Sequence, residues 1–119
     1  MGSHKDLEVW QRSVDLAVAL YRVTAEFPDT EKFGLVSQMR RAAVSIASNI
    51  AEGAARQSRK EFIQFLSMAA GSASELHTQM TICLRIDMGN RPDLVALEKE
   101  LELIAKMVQG LIKSVRART

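Results

Sequence analysis

His4, His77 and Cys83 are the chain's imidazole and thiol groups, and its cations bunch at Arg40-Arg41 and at Arg56, Arg59 and Lys60. These are the residues whose types could do chemistry. A metal centre in a helical bundle draws on carboxylates and paired Glu-x-x-His motifs on inward faces. Here Ser74 stands three residues before His77, and His4 lies in the terminal tail, so no metal site is expected. Cys83 has no Cys or His at ligand spacing and reads as a small apolar packer. A nucleophile needs a base and an orienting acid. Cys83 and His77 share a helix but fall on different faces of it. There is no phosphate-binding loop of the P-loop or dinucleotide type. The expectation is a non-enzyme that needs no metal or organic cofactor.

The cations point to a different chemistry. Arg56, Arg59 and Lys60 flank Ser58 where one helix ends and another begins. Free amides and the helix dipole favour anions at such a start, so this turn is the leading anion or nucleic-acid candidate. Arg40 and Arg41 are secondary. Against this stands an ordinary solvated turn. The formal net charge is only +2, less than a dedicated nucleic-acid binder carries, so binding would be weak, salt-sensitive and strengthened by repetition of the patch in an oligomer.

Four helices must position these groups. The first is predicted from about Leu7 to Glu26, with Asp6 as N-cap, Pro28 as stop, and an apolar stripe of Val14, Ala17, Val18, Tyr21 and Ala25. The second begins between Glu31 and Leu35 and ends near Ala55, with Leu35, Met39, Ala42, Ile46 and Ile50 as its stripe. Gly53 is expected to loosen its last turn. Ser58-Arg59-Lys60-Glu61 forms a capping box that opens a third helix reaching about Met88. Its core face holds Phe62, Phe65, Leu66, Ala69, Ala73, Leu76, Met80 and Leu84. Gly89-Asn90 marks a stop, and Pro92 suits the first turn of a fourth helix. That helix runs to about Arg116 on Leu94, Leu97, Leu101, Ile104, Val108, Leu111 and Val115, with acids early and cations late. Long helices joined by short loops imply an all-α, antiparallel up-and-down four-helix bundle, one domain over 1–119. Residues 1–5 are expected to be unstructured or tag-derived.

Charge is missing where a one-sided helix would show it. Residues 42–51 and 62–74 hold none. Ala43, Ala47, Ala51 and Ala55 repeat every fourth residue, and Ser67, Gly71, Ser74 and Thr78 fall opposite the third helix's core face. Interface cores are depleted of charge, so these residues are the candidate oligomer interface, against the plainer reading of Ala as a good helix former. Arg41, Ser45, Ser48 and Glu52, beside Asn49, form a polar stripe expected to fix register between helices. The single cysteine forbids an internal disulfide and favours a reducing, cytoplasmic setting. No apolar run reaches the ~20 residues that span a bilayer, so no membrane partner is expected.

The runs D-L-E-V-W-Q at 6–11, G-L-V-S-Q-M-R-R-A-A-V-S-I-A-S-N-I-A-E-G at 34–53, S-R-K-E-F-I-Q-F-L at 58–66 and G-S-A-S-E-L-H-T-Q at 71–79 resemble the 23S ribosomal RNA intervening-sequence protein family of bacterial four-helix bundles. Ala47 stands where that family often has Pro, and Ala54 where it often has an aromatic. The resemblance implies a cytoplasmic bundle, often a ring-like homopentamer, with no established enzymatic activity and with RNA as a suggested associate. Two function classes follow: a self-assembling bundle that binds RNA, and a structural or protein-interaction scaffold without nucleic-acid affinity.

Overall fold

A computed structural model describes residues 3–118. Four α-helices carry the fold: α1 (Glu8–Thr24), α2 (Leu35–Ala54), α3 (Arg59–Arg85) and α4 (Arg91–Ala117). Short 3₁₀ turns precede α1 at His4–Asp6 and α2 at Asp29–Glu31. Each helix packs on its chain neighbours, and α4 closes the ring by packing on α1. The result is an antiparallel up-and-down bundle 47 Å long and about 20 Å across. At ~1.5 Å per residue α3 alone accounts for about 40 Å of that length.

The helix ends follow from specific caps. Ser58 Oγ accepts from the Glu61 amide at 3.0 Å. The Ser58 hydroxyl in turn donates to Glu61 Oε1 at 3.2 Å, so the box closes through the hydroxyl. Asn90 Oδ1 accepts from the Asp93 amide at 3.0 Å and starts α4. The first helix differs from expectation. Leu7 occupies the N-cap position without a side-chain bond, because Asp6 belongs to the preceding 3₁₀ turn. That turn takes in His4 and Lys5 of the start expected to be unstructured or tag-derived. Ser3 caps it, and His4 stands edge-on to Trp10 with ring centroids 4.8 Å apart. Met1 and Gly2 lie outside the described residues.

The third helix stops earlier than the sequence predicts. Asp87 adopts φ 56°, and the Met88 amide donates to Cys83 O at 2.9 Å while that of Asp87 donates to Leu84 O at 3.4 Å. These are the two bonds of a Schellman motif, built here on Asp rather than Gly. Gly89, at φ 84°, then lets the chain pass beneath Phe27, where a Cβ would come within 2.5 Å of the Phe27 ring.

The core runs the length of the bundle. Met39, Ala42, Ile46 and Ile50 of α2 meet Phe62, Leu66, Ala69, Ala73, Leu76, Met80 and Cys83 of α3. On α4 the buried positions are Leu94, Leu97, Leu101, Ile104, Val108, Ile112 and Val115. Ile112 replaces the expected Leu111, because a straight helix of ~3.6 residues per turn drifts off a heptad. On α1 the sequence points to the wrong stripe. Val9, Ser13, Leu16, Leu20 and Thr24 are buried, whereas Val18, Tyr21 and Ala25 are exposed. Ser13 and Thr24 disguise the core face. Their hydroxyls donate to Val9 O and Leu20 O, each at 2.7 Å, which satisfies both groups without water.

Candidate functional site

The antiparallel topology gathers the ends of all four helices at two poles. One pole joins the start of α1, the turn between α2 and α3, and the end of α4. Arg56, Arg59 and Lys60 are exposed there. Arg59 donates to the Arg118 carbonyl, so the α4 C-terminus with Lys113, Arg116 and Arg118 lies against the same turn. Lys5 joins from the first turn, which packs on α2. Glu52 pairs with Arg56, and the Arg56 guanidinium also stacks 4.8 Å from the Phe65 ring centroid. The bond from Arg59 goes to a neutral carbonyl, and among the described residues no carboxylate pairs with Arg59. The predicted turn is therefore part of a larger basic pole. In the sequence the α4 cations read as partners of their own helix dipole, which gives them no site signal of their own. An antiparallel fourth helix must bring its end beside the start of the third, and that was the available signal.

The second predicted cluster is elsewhere. Arg40 and Arg41 sit near the start of α2, about 20 Å along the helix from its C-terminal end. Arg40 has a structural task. It donates to Thr24 Oγ1 at 3.0 Å and Tyr21 O at 3.2 Å, and its guanidinium lies 4.5 Å from the Tyr21 ring centroid. It thereby ties the start of α2 to the last turn of α1, where Tyr21 O also accepts from the Ala25 amide. Arg41 is exposed and, among the described residues, donates only to Ser37 Oγ, at 3.2 Å. The two clusters do not form one site within the chain.

The predicted interface residues divide as well. Ala43 is fully buried inside the chain, which corrects its assignment as a free surface. The α2 ladder turns slowly, so its first rung faces the core. Ala47 and Ala51 instead form the floor of a groove of about 610 Å³ between α1 and α2. Its walls are Val14, Ala17, Val18, Tyr21 and Val44, which include the residues misread as the α1 core stripe. Ala55 is exposed at the pole. Ser67, Gly71, Ser74 and Thr78 are exposed on α3, and a Cβ at Gly71 would meet nothing within 4 Å. Ser74 and Thr78 border a depression shared with Leu101, Ala105 and Lys106 of α4. The two halves of the predicted interface thus lie on opposite sides of the bundle.

The polar stripe of α2 is partly a register device. Ser45 Oγ and Ser72 Oγ are 2.8 Å apart across the α2–α3 contact, and Asn49 Nδ2 donates to Ser45 O and Oγ at 2.9 and 3.0 Å. Ser48 and Glu52 lie outside this network. Gly53 permits a close approach of α2 and α3, since a Cβ there would stand 2.8 Å from Phe65 Cβ. It binds the end of α2 to the start of α3 instead of loosening it.

Cys83 is buried 3.7 Å from Met39 Sδ. Burial, reinforced by the Glu31 carboxylate, pushes its thiol above the ordinary value, the opposite of an activated thiolate. His77 lies on the exposed side of α3, 3.5 Å from Glu98 Oε2 and 4.0 Å from Glu102 Oε1. Among the described residues no group of His, Cys, Asp and Glu has the arrangement of a metal site, and none of the helices is long and apolar enough to cross a membrane.

Comparison with known proteins adds a family. The family model described as 23S rRNA-intervening sequence protein matches residues 5–110. The chain is similar to a crystal structure from Bacteroides thetaiotaomicron VPI-5482, described as a protein of unknown function from the S23 ribosomal protein family. It superposes with a TM-score of 0.79 at 26% identity, covering 88% of this chain and 98% of the other. No curated protein matches the chain.

Proposed function

Since the chain belongs to the 23S rRNA-intervening sequence protein family, we propose that it works as a non-enzymatic, self-assembling helical bundle that binds RNA through its basic pole. The observation that carries the nucleic-acid reading is the convergence of Arg56, Arg59, Lys60, Lys113, Arg116 and Arg118 at one end. A phosphate backbone responds to such diffuse charge, and base-specific contacts are not needed for it. The names of the family and of the Bacteroides relative, which refer to ribosomal RNA and to a ribosomal protein, agree with this class of partner.

Self-assembly draws on a second arrangement. An apolar groove on the α1–α2 side and a small-residue strip on the opposite α3–α4 side are different surfaces. A contact that joins unlike surfaces is heterologous and generates a ring when its rotation closes. That geometry suits the ring-like homopentamer implied by the family resemblance. A cytoplasmic location fits the single reduced cysteine.

Binding of structured RNA across a salt series tests the reading. The parent should bind weakly, with affinity falling steeply as salt rises. Replacing Arg56, Arg59 and Lys60 together by Gln should remove most of the binding and leave the assembly intact. Equal binding by parent and variant at one salt concentration rejects the site. The second reading, a protein-interaction scaffold, is favoured by the groove itself, whose walls are almost wholly apolar. It takes the lead if the parent binds no RNA at low salt.

A further inference from the structure

A cleft of about 590 Å³ lies at the opposite pole from the Arg56 turn, between the end of α1, the loop before α2 and the first turns of α2. Its lining combines Lys32, Arg40 and Arg41 with Phe33 and Tyr21. Ligand sites fall in the range of ~300–1,000 Å³. No carboxylate lines this cleft. Among the described residues none forms an ion pair with Lys32 or Arg41. Arg40 is held by Thr24 and Tyr21, so it is a fixed positive wall rather than a mobile one. Among the described residues Phe33 is the most solvent-exposed large apolar side chain, at 90%. Lys32 Nζ stands 5.7 Å from its ring centroid. A flat ligand stacked on Phe33 therefore has cations beside it.

Cations alone would take any anion, and an exposed ring alone would take any apolar surface. Their interleaving selects a ligand that is both flat and anionic. We infer that this cleft takes an unpaired nucleotide of a single-stranded RNA, with the base stacked on Phe33 and the phosphate held by Arg41 and Lys32. This rests on the nucleic-acid reading above and adds to it a contact that distinguishes single strands from duplex. Bases in a duplex are stacked on each other and offer no face to Phe33, whereas single-stranded bases stack on aromatic side chains without sequence preference.

The test uses the full chain with four probes: a short oligoadenylate, its abasic counterpart, an RNA duplex of equal length, and AMP. Phe33→Ala should lower oligoadenylate affinity roughly tenfold, the usual scale of one lost base stack, with duplex affinity and thermal melting unchanged. Phe33→Trp should retain single-strand binding. Arg41→Gln and Lys32→Gln should each weaken oligoadenylate binding and reduce its salt dependence. The abasic strand should bind the parent no better than it binds Phe33→Ala. Equal oligoadenylate binding by parent and Phe33→Ala overturns the inference. So does AMP binding as tightly as the strand, which would make the cleft a mononucleotide site. So does a Phe33→Ala variant that dissociates the assembly with RNA affinity intact, which would make Phe33 a subunit contact. If the Gln variant of Arg56, Arg59 and Lys60 loses all RNA binding while Phe33→Ala loses none, the basic pole stands and the cleft falls. The reverse pattern upholds the cleft and rejects the pole.

Discussion

Single residues here are explained by what touches them. Gly71 touches nothing within the chain, and a mid-helix Gly costs about 1 kcal/mol against Ala. Gly71→Ala should therefore stabilise the dissociated chain by about 1 kcal/mol in chemical denaturation. If a neighbouring subunit packs there, the same change should weaken association, as read by sedimentation at falling concentration. Gly53 is the opposite case. Its missing Cβ leaves the space taken by Phe62 and Phe65, and Gly53→Ala should cost about 1–3 kcal/mol as overpacking. Cys83 offers a pH signature. Its thiol is raised by burial and by Glu31. Below an unfolded thiol pKa of about 8.5 it is neutral in both states and contributes no slope. As pH rises through and beyond that value only the unfolded chain ionises, so stability falls until the native thiol also ionises. Denaturant midpoints at about pH 7.5 and about pH 9.5 should fall further for the parent than for Cys83→Ala. Native Cys83 should also react with thiol reagents far more slowly than in denaturant.

At the scale of elements, caps decide more than propensities. The α3 end rests on a left-handed Asp87, a conformation that Gly adopts without its steric cost. Asp87→Gly should raise stability by up to about 1 kcal/mol in thermal or chemical melts. The lost ion pair with Arg91 is exposed and offsets little of that. A drop in stability would show that the Asp side chain itself holds the turn. On α1, two apolar faces share one helix. The inner face contains buried hydroxyls that donate to their own backbone, and the outer face is cleaner in sequence because it is the wall of the groove. The more regular apolar stripe is therefore not the buried one.

For the whole molecule the decisive quantity is how its faces are distributed around the bundle. The α1–α2 groove and the α3 strip are separated by the full width of the core. Val18→Glu and Val44→Glu place charge on exposed positions of the groove wall. Each should break self-association while leaving the monomer's helicity and melting nearly unchanged, since surface changes outside the core fall mostly within about 0.5 kcal/mol. An assembly that survives both substitutions would remove the groove from the interface and return the α3 strip to first place.

The sequence by itself determined the class of fold, the helix breaks and most of the core. Apolar periodicity, Ser58 and Asn90 as caps, and Pro28 and Pro92 at boundaries are local signals, and local physics suffices to read them. It also located the basic turn and Cys83 as a packer. The tertiary structure decided which stripe of α1 faces inward, because Ser13 and Thr24 become acceptable inside only when the helix supplies their acceptors. It decided that Ala43 lies in the core, that Arg40 caps a neighbouring helix, and that the cations of α4 meet those of the α2–α3 turn. It placed Phe33 beside Lys32 and Arg41 at the other pole. Each of these depends on which elements become neighbours and how each helix is rotated about its axis. Period and composition leave that rotation open wherever a helix carries two apolar faces.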